Sequence, residues 1–412
     1  MEPQLIDHLF RHHYGRMVSV LTRIFGLAHL ETIEDAVQDT FLKATVSWKN
    51  KPPENPQAWL TAAAKNRVLD IFRKLKADRK RVPDLGGGME VIAINELFLD
   101  NEIQDSQLRM IFAACHPVLA PRERIAFALR TVSGFSNKEI ASALLTKEDT
   151  IRKRLNRARK LIQEKDVRFS IPMGAELPER LESVLEVLYL IFNEGFHSNQ
   201  SELLVREELC GEAMRLGQML LTHSLTRTPN AYALFSLMCF HAARLKSKTN
   251  ADGEIVDLRH QDRSMWHFPL IRMGHDTMEK AVETEDYSRY HFEAAIAAEH
   301  LKARSFEATR WEKILMWCER LNHVAPGVIT SLQLAVVLLQ CERWEEALEL
   351  LESIDPKALE QRSYLYFGSL AEYHLKTGNS TLAIDCLDEA LETVQNEAEK
   401  RYLLQKKKTL QG

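Results

Sequence analysis

The segment SNKEIASALLTKEDTIRKRLNRARKLI, residues 136–162, carries a dense run of Lys and Arg whose chemistry is ionic. Cations held in register along one helix face either grip a polyanion or are simply solvated. Ile151, Leu155, Ala158 and Ile162 recur at helical spacing and predict an inward seam. Lys153, Asn156, Arg157 and Lys160 then fall on the far side, with Arg152, Arg154 and Arg159 on the flanks. Ser136 and Glu139 have the spacing of a capping box, and Thr146 with Asp149 offers a weaker copy. Two short helices joined by a tight turn follow from that pattern, the arrangement of a helix-turn-helix. Such a motif sets the first residues of its second helix against base edges while neighbouring cations hold phosphates. Lys147, Thr150, Lys153, Asn156 and Arg157 are placed for bases, and Arg152, Arg154 and Lys160 for backbone oxygens. A charged solvent face is the bland alternative.

A second basic segment, NPQAWLTAAAKNRVLDIFRKLK at residues 55–76, bears on that choice. Trp59, Ala63, Asn66, Asp70 and Arg73 lie near one helical face, accompanied by the cations Lys65, Arg67 and Lys74; Leu60, Ala64, Val68, Ile71 and Leu75 supply another. A basic helix with an Asn and an aromatic ring suits single-stranded nucleic acid, whose exposed bases stack and hydrogen-bond. The competing reading puts Trp59 in the core and pairs Asp70 with Arg67 or Arg73.

Elsewhere the chemistry is thinner. Asn193 and Glu194 interrupt an apolar run, and Gln261, Asp262, Arg263 and Trp266 cluster after a DGE turn. Buried polar groups need partners, so an internal network bracing helix pairs and a ligand pocket are both open, with bracing the simpler. His291 beside Glu293 is accompanied by no nucleophile, phosphate-binding Gly loop or metal pattern and reads as structural. No cofactor, no metal and no enzymatic activity are expected.

The elements that must position these residues can be outlined from the whole chain. Its 412 residues exceed one ordinary core and predict two or three domains. Apolar content of 45% with 27% charged residues is that of a globular protein in water. MEPQLIDHLF has neither a basic leader nor an apolar core, no stretch approaches a membrane span, and a cytoplasmic location with no membrane partner is expected. Six cysteines lie without metal-ligand spacing and read as buried thiols. The net charge of −4 conceals an asymmetry: residues 1–165 hold 27 Lys and Arg against 20 Asp and Glu, whereas the remainder hold 27 against 38. A polyanion is drawn to the first part, weakly and with strong salt dependence.

Nearly every segment has helical periodicity, which predicts an all-α protein. A first block at 1–76 is followed by a Gly-rich flexible linker at 77–105, a helix-turn-helix block at 106–165 and a hinge at 166–178. From 179 to 412 the chain reads as one helical domain, with weak repetition toward its end. In KTGNSTLAIDCLDEAL, Gly378, Ala383, Leu387, Ala390 and Leu391 match the small and apolar positions of a tetratricopeptide repeat, with Leu370 and Ala371 on the preceding helix. Leu334, Ala335, Ala347 and Leu351 match more loosely one register upstream. Stacked pairs of this kind build a concave binding surface.

EDAVQDTFLKA, then AWLTAAAKNRVLDIFRK, then CHPVLAPRERIAFALRTVSGFSNKEIASALL running into TIRKRLNRARKLI resembles, in order, the conserved regions of extracytoplasmic-function-type sigma factors of the sigma-70 family. The resemblance covers about residues 5–165. The remainder, with VLYLIFNEGF, DGEIVDLRHQDRSMW and YHFEAAIAAEHL, resembles the subgroup in which a sigma core is fused to a tetratricopeptide-like domain.

That resemblance implies two small helical sigma domains and a helical-repeat domain. It implies core RNA polymerase and promoter DNA as partners, with a protein or small-molecule regulator expected at the C-terminal domain. Asp35, Gln38 and Asp39 would face the polymerase clamp helices with Phe41 packing nearby; Trp59, Lys65, Asn66, Arg67, Asp70, Arg73 and Lys74 would meet the opened −10 strand; the helix-turn-helix would read the −35 duplex. The linker would thread the polymerase channel as an extended chain. A helix-turn-helix regulator with a protein-interaction domain, acting without polymerase, is the other reading.

Overall fold

The computed structural model describes residues 2–48, 53–78, 100–144, 146–196, 203–250, 255–394 and 397–411. Among these residues the chain is all-α, with 18 α-helices and no strand beyond a single Thr249/Ile255 bridge. It divides into two compact units, Met1–Ile191 and Phe192–Gly412.

The first unit begins with α1 (Glu2–Phe25), α2 (Leu30–Ser47) and α3 (Pro56–Asp78). Their apolar seams meet in one core: Tyr14, Val18 and Leu21 of α1, Ile33, Val37 and Phe41 of α2, and Leu60, Ala64, Val68 and Phe72 of α3 are all buried. Phe25 stacks on Phe72 with centroids 4.6 Å apart, and Phe10 meets Phe41 edge-on at 4.8 Å. Next come α4 (Asp100–Ala114), α5 (Pro121–Thr131), α6 (Asn137–Ala143) and α7 (Glu148–Glu164). Residues 100–105, expected as linker, are helical: Glu102 and Asp105 of α4 hold Arg23 of α1 at 2.7 and 3.0 Å. Residues 79–99 of the expected linker lie outside the described residues. Gly15 of α1 presses on the backbone carbonyl of Val132, where a Cβ would come within 1.8 Å, so only glycine allows this approach.

The segment expected as a hinge turns at Asp166 and Gly174, both at positive φ, and buries Val167. It leads into α8 (Glu176–Phe196), whose first turns belong to the first unit. Arg180 donates to Phe112 O at 2.8 Å, Ser183 to Cys115 O at 2.6 Å, and Arg124 reaches both Ser183 and Glu186.

The second unit is built from α9 (Leu203–Thr222), α10 (Pro229–Ala242), α11 (Phe268–Ala281), α12 (Arg289–Lys302), α13 (Trp311–Val324), α14 (Val328–Gln340), α15 (Trp344–Glu352), α16 (Ser363–Lys376), α17 (Ser380–Thr393) and α18 (Glu397–Gln411). The helices from α12 onward pack as successive pairs. Ile314, Cys318 and Leu321 of α13 meet Leu338 and Leu339 of α14 and Ala347 of α15; Ala371 of α16 meets Leu387 and Ala390 of α17. The turn between α16 and α17 passes through Gly378 at φ 81°, a conformation that glycine adopts without strain. All six cysteines are free thiols. Burial pushes Cys115, Cys210, Cys239 and Cys318 up to about 12, so they pack as apolar groups.

Gln261 and Trp266 both reach Ser247: Trp266 Nε1 donates to Ser247 Oγ at 3.0 Å, and Ser247 Oγ to Gln261 Oε1 at 3.3 Å. That network braces the loop after α10. Asp262 caps the following turn through Ser264 N at 2.9 Å, and Glu194 is exposed. His291 is buried, held by the Ser288 hydroxyl on one nitrogen and by Ala281 O on the other.

Candidate nucleic-acid interface

The helix-turn-helix consists of α6 and α7. Its first cap is reciprocal: Ser136 Oγ accepts from Glu139 N at 3.2 Å, and Ser136 N donates to Glu139 Oε2 at 2.7 Å. The expected second box at Thr146 and Asp149 does not form. Lys147, which has no side-chain cap bond, is the N-cap of α7, and Thr146 N is taken by Ala141 O at 2.9 Å. Four residues, 144–147, separate the helices.

The seam of α7 is as its periodicity requires, with Ile151, Leu155, Ala158 and Ile162 buried. Lys147, Arg152, Lys153, Asn156, Arg157 and Lys160 are exposed, while Thr150 and Arg154 are half-buried. Several of these cations hold carboxylates: Arg152 pairs with Asp149 at 3.3 Å and Glu148 at 3.8 Å, Arg157 with Glu123 at 3.2 Å, and Lys160 with Glu164 at 3.6 Å. The Arg152 and Lys160 pairs are exposed on both sides and worth about 0–1 kcal/mol, so a phosphate can displace those carboxylates at small cost, whereas Arg157 covers Glu123, whose side chain is 7% exposed. Lys147 and Lys153 have no ion pair among the described residues. Arg122, exposed at the start of α5, joins the face; burial and then Arg122 lower the pKa of Arg154. Arg122 lies in PRERIAF and could have been found only by knowing how α5 sits against α7.

On α3, Trp59 is half-buried and edge-on to Trp48 at 5.3 Å. Asn66, Asp70 and Arg73 are exposed, with Arg73 and Asp70 3.5 Å apart; Lys65 and Arg67 are half-buried. The side chain of Lys74 lies outside the described residues, as does that of Leu75. Arg67 reaches across to Asp39 on α2 at 3.0 Å.

On α2, Asp35 is exposed, and burial followed by Glu31 and Glu34 holds its carboxyl above the ordinary value. Gln38 and Asp39 are half-buried. Phe41 is 4% exposed and points into the core against Phe10, which removes it from any surface role. The apolar surface lies one residue on: Leu42 and Val46, 66% and 69% exposed, line an open groove of about 740 Å³ with Asp39, Lys43, Trp59, Ala63 and Arg67. Two large aliphatic side chains one turn apart and left in water mark an interaction surface.

These helices are joined by buried charge. Glu34 of α2, 1% exposed, accepts from Arg159 of α7 at 2.7 Å and from the Tyr14 hydroxyl at 3.2 Å, and lies 3.4 Å from Arg130 of α5. Burial and then Glu34 raise the pKa of Tyr14 well above its ordinary value, which keeps the hydroxyl protonated as a donor.

Sequence comparison bears on what this arrangement serves. Residues 9–78 match Sigma-70 region 2, and residues 109–162 match Sigma-70 region 4. The chain belongs to the sigma-70 family. Its remaining match, over residues 180–282, is to a family of unknown function, DUF6596. It is 30% identical over 383 residues, 91% of its own length and 89% of the other, to the uncharacterized protein R00370 of Rhizobium meliloti (strain 1021). It is 28% identical over 158 residues to the ECF RNA polymerase sigma factor SigE of Mycolicibacterium smegmatis (strain ATCC 700084 / mc(2)155), covering 38% of this chain and 60% of that one. No solved structure matches. Sigma-70 regions 2 and 4 support sigma factor function, which is non-enzymatic and implies binding to core RNA polymerase and promoter DNA. Among the described residues no helix is long and apolar enough to cross a membrane.

Proposed function

We propose that this sigma-70 family chain directs core RNA polymerase to promoters through three surfaces. The α2 groove, with Asp35, Gln38 and Asp39 around Leu42 and Val46, docks on the polymerase clamp. The α3 face, with Trp59, Lys65, Asn66, Arg67, Asp70, Arg73 and Lys74, holds the opened −10 strand. The outward face of α7, from Lys147 to Lys160, reads the −35 duplex. The observation that carries this reading is the division of α7 into a fully buried apolar seam and an opposite face of exposed cations around Asn156, within the region 4 match. Strand opening then needs no hydrolysis, because contacts to unstacked bases offset the cost of unpairing.

The contact between α2 and α7 bears on this reading. Elements at −10 and −35 are about 25 base pairs apart, roughly 85 Å of duplex at 3.4 Å per step. A compact unit the size of the first one is only about 40 Å across. Both elements can be held at once only if regions 2 and 4 part, and Glu34, Arg130 and Arg159 must then release one another. The closed unit is accordingly a resting form, and polymerase and promoter together open it.

For the second unit we infer tetratricopeptide-like pairing at α14–α15 and α16–α17, supported by the seams of Ala335, Ala347 and Leu351 and of Ala371, Ala383 and Leu387, and by the Gly378 turn. On this reading it is the regulatory part of a cytoplasmic transcription factor. In vitro transcription with purified core polymerase and the full chain, with transcript starts mapped by sequencing, tests the assignment. Promoter-specific starts that depend on the chain are expected. DNA binding without co-purification of polymerase would favour the regulator that acts alone.

A further inference from the structure

Two cations in the second unit converge on one ring with no carboxylate in ion-pair contact among the described residues. Arg244 and Lys248 flank the short 3-10 turn Leu245–Ser247 just after α10. Ser247 fixes that turn by donating to Arg244 O at 2.8 Å while receiving the Trp266 indole N–H. As a result both side chains lie over Phe196, at the end of α8: the Arg244 guanidinium is 5.4 Å from the ring centroid and Lys248 Nζ 3.7 Å. Lys248 also donates to Phe196 O. Neither cation forms an ion pair among the described residues.

Among the described residues the surrounding charges do not supply an ion-pair partner. Arg263, the third cation nearby, uses its donors on His300 O at 3.1 Å and Ala303 O at 2.6 Å and lies over Trp266. Glu299 is claimed by Lys302, Lys313 and Arg310. Glu307 acts on Arg259 and Arg263, and Glu399 is only a weak influence on Lys248. His300 Nδ1 is buried with no hydrogen-bond partner among the described residues. Taking a cation from water is costly, and a cation–π contact offsets only part of that cost. The strain is visible in proton affinity: burial and then Arg263 bring Arg244 down to about 10, and burial and then Arg244 bring Lys248 down to about 7.

We propose that Arg244 and Lys248, over Phe196, form an anion site for a phosphate dianion, either free phosphate or the phosphate group of a small ester. Two positive charges match a dianion; arginine offers a planar fork and lysine a point charge, the pairing that suits phosphate oxygens. Arg244, Lys248 and Arg263 all lie within the 180–282 match, whose function is unknown.

Calorimetric titration of the full chain with inorganic phosphate, glycerol phosphate and acetate, each against sodium chloride of equal ionic strength, tests the site. Saturable phosphate binding is expected, at least about tenfold tighter than acetate, and Arg244→Gln and Lys248→Gln each weaken it by about tenfold or more. Tighter binding of glycerol phosphate than of the free ion identifies an ester as the ligand, and the reverse order the ion. Acetylation of Lys248 by acetic anhydride at pH 8, read by peptide mass spectrometry, gives a second measure on the unmutated chain. Phosphate should slow it several-fold by protonating and covering the amine. Binding no stronger than the chloride control, affinity unchanged in both variants, or Lys248 labelling indifferent to phosphate would each overturn the site.

Discussion

Arg159 Nη2 of α7 lies 2.7 Å from Glu34 Oε2 of α2, joining two residues 125 positions apart. The same carboxylate faces Arg130 and Tyr14, so one buried negative charge holds three groups from three helices. Glu34→Gln keeps the shape and removes the charge. Breaking a fully buried ion pair costs about 3–5 kcal/mol, and the partial exposure of Arg159 lowers the expectation to about 2 kcal/mol, measured by urea denaturation. The same change should lengthen the distance between fluorophores placed on exposed positions of α3 and α7. A variant equally stable and equally closed would show that this contact does not hold regions 2 and 4 together.

The DNA-facing residues divide by what they would touch. Arg157→Ala should weaken binding to the cognate −35 duplex by about 1–3 kcal/mol and relax specificity at one position. Arg152→Ala should weaken all sequences alike and lower the salt slope by about 1. Fluorescence anisotropy across a salt series separates the two. Arg157 is 73% exposed but pairs with the buried Glu123, so its loss should also cost about 1 kcal/mol of stability, which thermal melts separate from the loss of binding. Unchanged footprints at low salt for Arg157→Ala would remove this face from promoter recognition.

On α2, neighbouring residues should behave oppositely. Leu42→Asp and Val46→Asp alter side chains left in water, so folding is expected within about 0.5 kcal/mol of the parent, while affinity for core polymerase falls at least tenfold. Phe41→Ala removes a core ring and should cost about 3–5 kcal/mol of stability. Pull-down by core polymerase, run beside thermal melts, distinguishes the two kinds of loss. Full polymerase binding by the Leu42→Asp, Val46→Asp double variant would move the docking surface elsewhere.

How much of this could be read from the sequence follows from the range of each interaction. The α7 seam was legible because Ile151, Leu155, Ala158 and Ile162 declare a 3.6-residue period by themselves, and the Ser136–Glu139 box is a local bond. The resemblance puts Phe41 near Asp35, Gln38 and Asp39 at the polymerase surface, because the local spacing of α2 does not state which way that ring faces. Phe10 decides that, from another helix. The Thr146 box failed because Thr146 N was already bonded to Ala141 O, so the helix began one residue later. Glu34 and Arg159, like Phe196 and Lys248, are joined only by tertiary packing and left no periodic trace. Residues 100–105 were read as linker from the nearby glycines, whereas pairing with Arg23 and Arg109 draws Glu102 and Asp105 into α4.

Acid should loosen the first unit before its carboxylates titrate. His116 Nδ1 accepts from Val118 N at 3.1 Å, and burial, then the charge of Arg180, bring its pKa down to about 4. The folded value lies below the ordinary 6.5, so the unfolded chain binds a proton that the folded chain refuses. Stability from this group is therefore complete above pH 6.5 and declines as the pH falls toward 4. His116→Asn retains an acceptor near Val118 N but does not titrate, and should flatten that part of the profile. Urea midpoints measured from pH 7.5 to 4.5 check it: parent and variant curves that stay parallel would show that His116 carries none of the acid sensitivity.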